Sequence, residues 1–183
     1  MIDILMSQFE GAFAENTLRA YRADFKVFST WCNDHKIDPL NATPGDLATF
    51  VESEAEHRST ATIRRRVASI SSLLKLNNYT DPTRTPEVIL ALKRIHRQKG
   101  RAQKQAYPLT KDILNKLLTV TTDDLIGTRD RVMLLLGYNT MRRRSELCNF
   151  RFEDIESLPL GRTAIRLRFS KTDQFGEGKL LPV

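Results

Sequence analysis

Residues 15–35, ENTLRAYRADFKVFSTWCNDH, decide how the front of this chain folds. Their apolar side chains recur at steps of three and four, at Leu18, Tyr21, Phe25, Phe28 and Trp31 or Cys32. This spacing places them along one face of an α-helix, and a face rich in aromatic rings is typical of a core. The stretch therefore predicts an amphipathic helix whose aromatic side is buried by neighbouring helices.

Three further helices are expected in the N-terminal part. Residues 41–57 offer Thr43 as the N-cap and Pro44 as the first helical residue. Residues 59–79 have apolar side chains at helical spacing, and residues 85–100 open with a capping threonine and a proline. We expect the four helices to form one compact all-helical unit.

A short linker is expected to divide the chain. Residues 100–108, GRAQKQAYP, are polar and basic, and they end at a proline that disfavours helix just before it. This places one domain at residues 1–99 and a second at residues 109–183.

The second domain is predicted to change from helix to strand. A largely buried helix is expected at residues 127–140, and another helix begins at residues 144–150. Residues 163–172 alternate apolar and basic side chains, and residues 179–183 form the returning strand of a hairpin. The fold class is therefore mainly α with a small β-hairpin. Because the hairpin would leave a bare sheet edge, we expect the domain to continue past Val183, the alternative being a small complete domain.

Charge is distributed unevenly along the 183 residues. The net charge is +7, but residues 1–57 hold 4 Lys/Arg and 10 Asp/Glu, a net of −6. Residues 58–111 hold 13 and 2, a net of +11, and residues 112–183 hold 12 and 10, a net of +2. A basic excess confined to the middle third indicates a polyanionic partner.

The composition also narrows the protein class. No apolar run approaches the roughly 20 residues that span a bilayer, and the N-terminus lacks the basic region of a secretory signal. Cys32 and Cys148 are expected to be buried free thiols in a reducing cytosol. The three histidines show no ligand spacing, so no metal site is expected.

Basic residues of the middle segment are candidates for contact with nucleic acid. The helices at residues 59–79 and 85–100 are basic, and together with the linker they could straddle a duplex. The arginines at 64–66 are expected mostly to face outward. The segment lacks the stacked aromatic residues of a single-strand binder, which favours duplex DNA; the alternative is a merely solubilising face. The candidates are Arg64, Arg65, Arg66, Lys75, Lys93, Arg94, Arg97, Lys99, Arg101 and Lys104.

Residues 139–150, NTMRRRSELCNF, combine three arginines with a glutamate beside apolar residues. Arg143 and Glu146 are three residues apart, so on a helix they share a face. An arginine next to a core must be paired or bound to an anion, and its guanidinium suits two phosphate oxygens. The alternative is a structural salt bridge, for which Arg142 and Glu146 have i,i+4 spacing.

Three separated stretches resemble the tyrosine recombinase and phage integrase family. Residues 15–32 resemble the opening helix of its core-binding, SAM-like domain. Residues 108–155 resemble the start of its catalytic domain, with an arginine just before Ser-Glu-Leu, and residues 166–183 resemble the hairpin that carries its catalytic lysine. The resemblance implies an all-helical DNA-binding domain followed by a truncated α+β catalytic domain.

The resemblance also implies roles for three residues. Arg143 matches the first catalytic arginine, which holds the scissile phosphate and stabilises charge in the transition state. Glu146 matches the acidic residue that orients this arginine, and Lys171 matches the lysine that protonates the departing 5′ oxygen. Met141 and Arg142 stand where the family has Gly-Leu, so Arg142 remains an alternative to Arg143.

The implied activity is site-specific DNA recombination or integration through a phosphotyrosine intermediate, with no metal and no small-molecule cofactor. The implied partners are duplex DNA and other recombinase protomers in a synaptic assembly, and the implied location is cytoplasmic and nucleoid-associated. None of the four tyrosines matches the family's nucleophile, so we expect this chain to bind DNA without cleaving it. The alternative function is a non-enzymatic helical DNA-binding regulator.

Overall fold

The computed structural model divides the chain into two compact units, Met1–Lys104 and Gln105–Val183. The division falls inside the predicted linker at residues 100–108. The hydrophobic core cluster found among the described residues lies in the first unit. The structure describes residues 2–102, 105–171, 173 and 176–183.

The first unit is all-helical in its described residues. The four predicted helices are confirmed, and a six-residue helix precedes them that is too short to show a period in the sequence. The helices are α1 (Ile2–Ser7), α2 (Glu15–Asp34), α3 (Pro44–His57), α4 (Thr60–Leu76) and α5 (Pro86–Lys99).

The predicted cap of α3 is present. The Thr43 hydroxyl accepts a hydrogen bond from the Asp46 N–H at 3.2 Å, and the Asp46 carboxylate accepts one from the Thr43 N–H at 2.8 Å. The hydrogen bonds from Thr43 lower the pKa of the Asp46 carboxyl group. At the other end of the unit, α5 terminates at Gly100, whose φ of 73° is in the left-handed region that glycine adopts without strain.

The aromatic face of α2 lies at the centre of this unit, as predicted. Phe25 and Phe28 are fully buried, and the Phe28 ring meets Phe50 of α3 edge to face with centroids 5.1 Å apart. Burial of such rings dominates the stability of a helical unit of this size.

The second unit joins three α-helices to a small antiparallel sheet in its described residues. The strands are ordered β1-β2-β3, and Ile165 in the central strand lies opposite Ile155 and Leu181. The elements are α6 (Lys111–Thr119), α7 (Leu125–Thr140), α8 (Arg144–Leu147), β1 (Ile155–Leu158), β2 (Arg162–Leu167) and β3 (Lys179–Pro182).

The predicted hairpin is confirmed as β2 and β3, with two differences. The strand predicted at residues 163–172 is shorter in the structure, since β2 ends at Leu167, which pairs with Lys179 of β3. Strand β1 was not predicted, since its sequence Ile-Glu-Ser-Leu does not alternate apolar and polar side chains and so shows no strand period.

The prediction that residues 127–140 form a largely buried helix is wrong. Helix α7 is formed, but only Gly127 and Thr140 are buried within it, while Leu125 is 85% exposed and Val132 is 49% exposed. Its apolar residues lie on every side of the helix, and such a helix needs cover on every side. Within the second unit, α6 and α8 pack against part of its surface only. No helix in the described ranges has the length and hydropathy of a bilayer crossing.

Candidate functional site

Four cations surround an open depression on the surface of α5. Lys93, Arg94 and Arg97 project from one face of the helix, and Arg101 follows its end. Leu90 and His96 complete the lining. The spacing of three and four residues along the helix is what brings these side chains to one surface.

Four of the predicted contact residues already have partners within the first unit. A cation paired with a carboxylate offers less net charge to an incoming phosphate, and a partnered side chain is less free to reach one. The partners are Asp24 for Arg65 (2.7 Å), Asp81 for Lys75 (2.9 Å), Glu52 for Arg94 (2.6 Å) and the carbonyls of Ala55 and Arg58 for Lys99.

Four others keep their charge available. Arg64, Lys93, Arg97 and Arg101 are exposed, and no acidic partner is found for them in residues 2–102 and the rest of the described chain. Lys104, also predicted to contact nucleic acid, lies outside the described residues.

The prediction that Arg66 faces outward is wrong. Its side chain is 9% exposed, is ion-paired with Glu54 of α3 and has its Nε 3.8 Å from Asp24 of α2. Position 66 is three residues after Ile63 and four before Ile70, so it lies on the apolar stripe of α4. That spacing was the signal in the sequence. Arg66 is therefore a core residue rather than a candidate contact.

Lys75 also has a structural role, because it helps to hold Asp81 ionised. Burial by itself would raise the pKa of Asp81, but hydrogen bonds from Thr83, Lys75 and Ser71 outweigh it and hold the pKa at about 2. The Asp81 side chain is only 7% exposed.

His96 lines the depression and has a perturbed imidazole. Burial, followed by the charges of Arg101 and Arg64, lowers the pKa of its imidazole. Its Nε2 is enclosed and finds no hydrogen-bond partner among the described residues. Burial and the two neighbouring arginine charges therefore both disfavour the protonated imidazole.

Arg143 and Glu146 are brought together at the start of α8. Arg143 is the N-cap, with extended backbone angles, and Glu146 is the third helical residue. Glu146 Oε2 accepts the Arg143 backbone N–H at 3.1 Å, and Oε1 accepts its Nη1 at 3.0 Å. The Glu146 side chain is 6% exposed whereas that of Arg143 is 56% exposed. A buried carboxylate thus fixes an arginine that remains open to solvent.

Arg142 does not form the alternative salt bridge with Glu146. Its Nε instead donates to the Thr140 carbonyl at 2.8 Å, at the end of α7. The reason lies in Met141, whose φ of 50° is left-handed and ends α7, so that residues 142 and 146 do not lie on one continuous helix. The i,i+4 spacing therefore has no meaning across this break.

Glu146 remains ionised at neutral pH. Burial alone would raise its pKa, but the backbone and guanidinium hydrogen bonds of Arg143 outweigh burial, and the charges of Arg143 and Arg142 assist them. The pKa consequently lies below its ordinary value.

Lys171 lies on a separate element, the connection between β2 and β3, and is exposed. Four residues before it, β2 ends, and the neighbouring Arg168 donates its Nε to Asp154. Asp154 is 2% exposed and also accepts the Arg151 N–H at 2.9 Å. Sequence reasoning missed this buried carboxylate, which ties the end of β2 to the turn before β1.

The two cysteines differ in environment. Cys32 is buried, as predicted, and burial together with the charges of Asp46 and Asp38 raises its pKa to about 12. Cys148 is exposed, so the prediction of a buried thiol is wrong there, because α8 is only four residues long and turns its end to solvent.

Comparison with known proteins shows similarity to one family. Residues 7–77 match the model of the phage integrase N-terminal SAM-like domain. The chain is 32% identical to the integrase/recombinase xerD homolog of Selenomonas ruminantium, over 95% of this chain and 52% of that protein. It is 30% identical to tyrosine recombinase XerD of Yersinia pestis (80% and 48%) and 30% identical to tyrosine recombinase XerC of Xanthomonas axonopodis pv. citri (81% and 51%). The chain spans about half the length of these relatives. Residues 7–77 are thus similar to the SAM-like domain of phage integrases, and the chain is similar to tyrosine recombinases over most of its own length.

Proposed function

We propose that this chain is the DNA-binding and phosphate-engaging part of a site-specific tyrosine recombinase. The observation that supports the proposal best is the pairing of Arg143 with Glu146. The buried carboxylate orients the guanidinium, while more than half of the arginine side chain stays accessible. The similarity to proteins named as recombinases also supports a role in DNA recombination.

Arg143 is proposed to hold the scissile phosphate. One Nη1 hydrogen bond is used by Glu146, and the guanidinium has further N–H donors that can reach two phosphate oxygens. A side chain held in place before the substrate arrives loses less entropy on binding and stabilises charge as it develops on the phosphorus oxygens.

Lys171 is proposed to act as the general acid. In the intact reaction a tyrosine oxygen attacks the phosphorus, forming the phosphotyrosine bond as the bond to the 5′ oxygen breaks. The departing oxygen takes a proton from the lysine ammonium group. None of the tyrosines in this chain is assigned as the nucleophile, so we expect the 183-residue protein to bind without cleaving.

The first unit is proposed to contact the phosphate backbone of duplex DNA through its unpaired cations. Arg64, Lys93, Arg97 and Arg101 form the centre of this surface, which we call the α5 basic face. The partnered residues Arg65, Lys75, Arg94 and Lys99 are proposed to contribute less. Lys104, which lies outside the described residues, stays a predicted contact. Binding of this kind is largely independent of sequence and strongly dependent on salt. We also propose that the intact protein assembles with other recombinase protomers on nucleoid DNA.

Duplex binding by the purified chain tests the proposal and separates it from the regulator alternative. Fluorescence anisotropy would measure affinity for a duplex enriched by selection from random sequence. We expect Arg143→Ala to lower the affinity by no more than the roughly eightfold of one phosphate contact, because the α5 basic face makes several such contacts. Arg144→Ala is the matched control, since it removes the same charge from the adjacent exposed residue.

Two outcomes would count against the proposal. A broad loss of affinity in Arg143→Ala, equal to that from changes in the α5 basic face, would make α8 a docking helix and favour the regulator. Covalent trapping of the 183-residue chain on a nicked target site would show that a nucleophile is present after all.

A further inference from the structure

The connection between β2 and β3 is organised around one carboxylate. Asp173 Oδ1 accepts the N–H groups of Gly176 at 2.9 Å and Glu177 at 3.1 Å, and its Oδ2 accepts the Gly178 N–H at 2.8 Å. Three backbone donors converging on one side chain form a closed turn.

The same residue also holds the chain on the other side of Lys171. The Ser170 N–H donates to the Asp173 carbonyl at 2.9 Å, and the Asp173 N–H donates to the Ser170 carbonyl at 3.2 Å and its hydroxyl at 3.1 Å. Lys171 directly follows Ser170, so the backbone that carries the lysine is tied to Asp173.

Two glycines allow this closed turn. Gly176 and Gly178 have φ values of 81° and 76°, which disfavour other residues. A Cβ on Gly176 would come within 2.5 Å of the Phe169 ring, so the turn closes directly on the residue two positions before Lys171.

The Asp173 carboxyl group is ionised at neutral pH. Hydrogen bonds from the N–H groups of Gly178, Glu177 and Gly176 lower the pKa of Asp173. Hydrogen bonds to an ionised acceptor are stronger than those between neutral groups, so the turn is held most firmly near neutral pH.

We propose that Asp173 is a positioning residue that holds the β2–β3 connection so that Lys171 is presented to bound DNA in one place. The inference rests on the proposed function, which makes Lys171 the group that meets the DNA. A lysine on an unstructured loop would have to order both backbone and side chain on binding, and a fixed turn removes the backbone part of that loss.

The test compares Asp173→Asn with Glu177→Gln in the 183-residue chain. Both remove one negative charge from the same connection, but only the first replaces a carboxylate oxygen that accepts backbone N–H groups. Acetylation of Lys171 by an amine-reactive reagent, read by mass spectrometry with and without the selected duplex, measures how DNA protects the lysine. Amide hydrogen exchange of residues 176–178 without DNA measures the turn itself.

We expect DNA to protect Lys171 equally in the wild type and in Glu177→Gln. In Asp173→Asn we expect duplex affinity to be unchanged, protection of Lys171 to fall by about tenfold and the amides of residues 176–178 to exchange about tenfold faster. Unchanged melting of the variant shows that the loss is local.

The outcomes separate this inference from the proposed function. If the wild type binds DNA and protects Lys171, and Asp173→Asn does so equally well, the positioning role is wrong while the proposed function stands. If DNA does not protect Lys171 in the wild type, the proposed role of Lys171 is wrong and the positioning inference falls with it. If the chain binds no duplex, the proposed function fails, and unchanged amide exchange in Asp173→Asn would independently overturn the role of Asp173 in the turn.

Discussion

Replacement of Arg97 by glutamine should weaken duplex binding much more than the same replacement of Arg94. The two arginines are three residues apart on α5 and line the same depression. Arg94 is paired with Glu52 at 2.6 Å, whereas Arg97 has no acidic partner in the described part of the chain. The two variants therefore compare the loss of an unpaired arginine with the loss of an arginine that is paired with a carboxylate. Both arginines lie on the same helix, and the substitution is the same.

The size of the effect follows from counterion release. Each phosphate neutralised by a protein cation changes log K by about 0.9 for each tenfold change in salt. Relative to about 1 M salt, where such a contact is screened out, one contact therefore raises affinity about eightfold at 0.1 M salt, and its loss lowers affinity by that factor. We expect this loss for Arg97→Gln, with a salt slope smaller by about 0.9. For Arg94→Gln we expect about a twofold loss and an unchanged slope, since no phosphate contact is removed and the Glu52 carboxylate left unpaired acts only through a screened field.

Anisotropy titrations at 50, 100 and 200 mM salt would measure both quantities on one labelled duplex. Thermal melting would verify that neither variant is unfolded, as expected for exposed ion pairs of about 0–1 kcal/mol. Equal losses and equal slopes for the two variants would refute the reasoning, because local pairing would then have no bearing on phosphate contact.

Three further predictions concern single groups. Duplex affinity should rise as pH falls from 7.5 to 5.5, because a nearby phosphate raises the lowered pKa of His96 and binding then takes up a proton; His96→Gln should remove this dependence in the same titrations. A thiol reagent at pH 8 should modify Cys148 rapidly and Cys32 only after urea unfolds the first unit, since Cys32 is buried with a pKa of about 12; equal native rates would contradict this. The pKa of Asp81 is lowered to about 2, so its carboxylate should stabilise the first unit by about 2 kcal/mol above pH 4, and this contribution should decline below pH 4 and be lost as pH falls through about 2. Urea unfolding of the wild type and of Asp81→Asn at pH 7 and pH 2.5 measures it, and an equal difference between the two proteins at both pH values would exclude it.

The arginine cluster of the second unit illustrates where sequence reasoning stopped. The pattern placed an arginine and a glutamate together but left Arg142 and Arg143 as alternatives. The choice depends on the left-handed backbone at Met141, which ends α7 and restarts the chain at α8. Methionine is not among the residues that favour a left-handed backbone, so nothing in the local sequence predicts this break.

Helix α7 shows a second limit. Its apolar composition correctly predicted a helix, but not its environment. A helix that is apolar on all sides contains no information about which side is covered, or by what. The exposure of residues such as Val132 and Leu135 is determined by which elements of the second unit pack against the helix.

The elements of this protein follow from local patterns, because a helix face, a cap or a strand alternation involves residues only a few positions apart. The aromatic stripe of α2, the capping residue Thr43 and the β2–β3 hairpin were all predictable for that reason. Which charges are free to act was decided by tertiary contacts, because α2 and α3 bring Asp24 and Glu54 to Arg66 across the core. In the same way, the fold alone determined that Glu146 is buried beneath an accessible Arg143, since burial depends on residues from other elements.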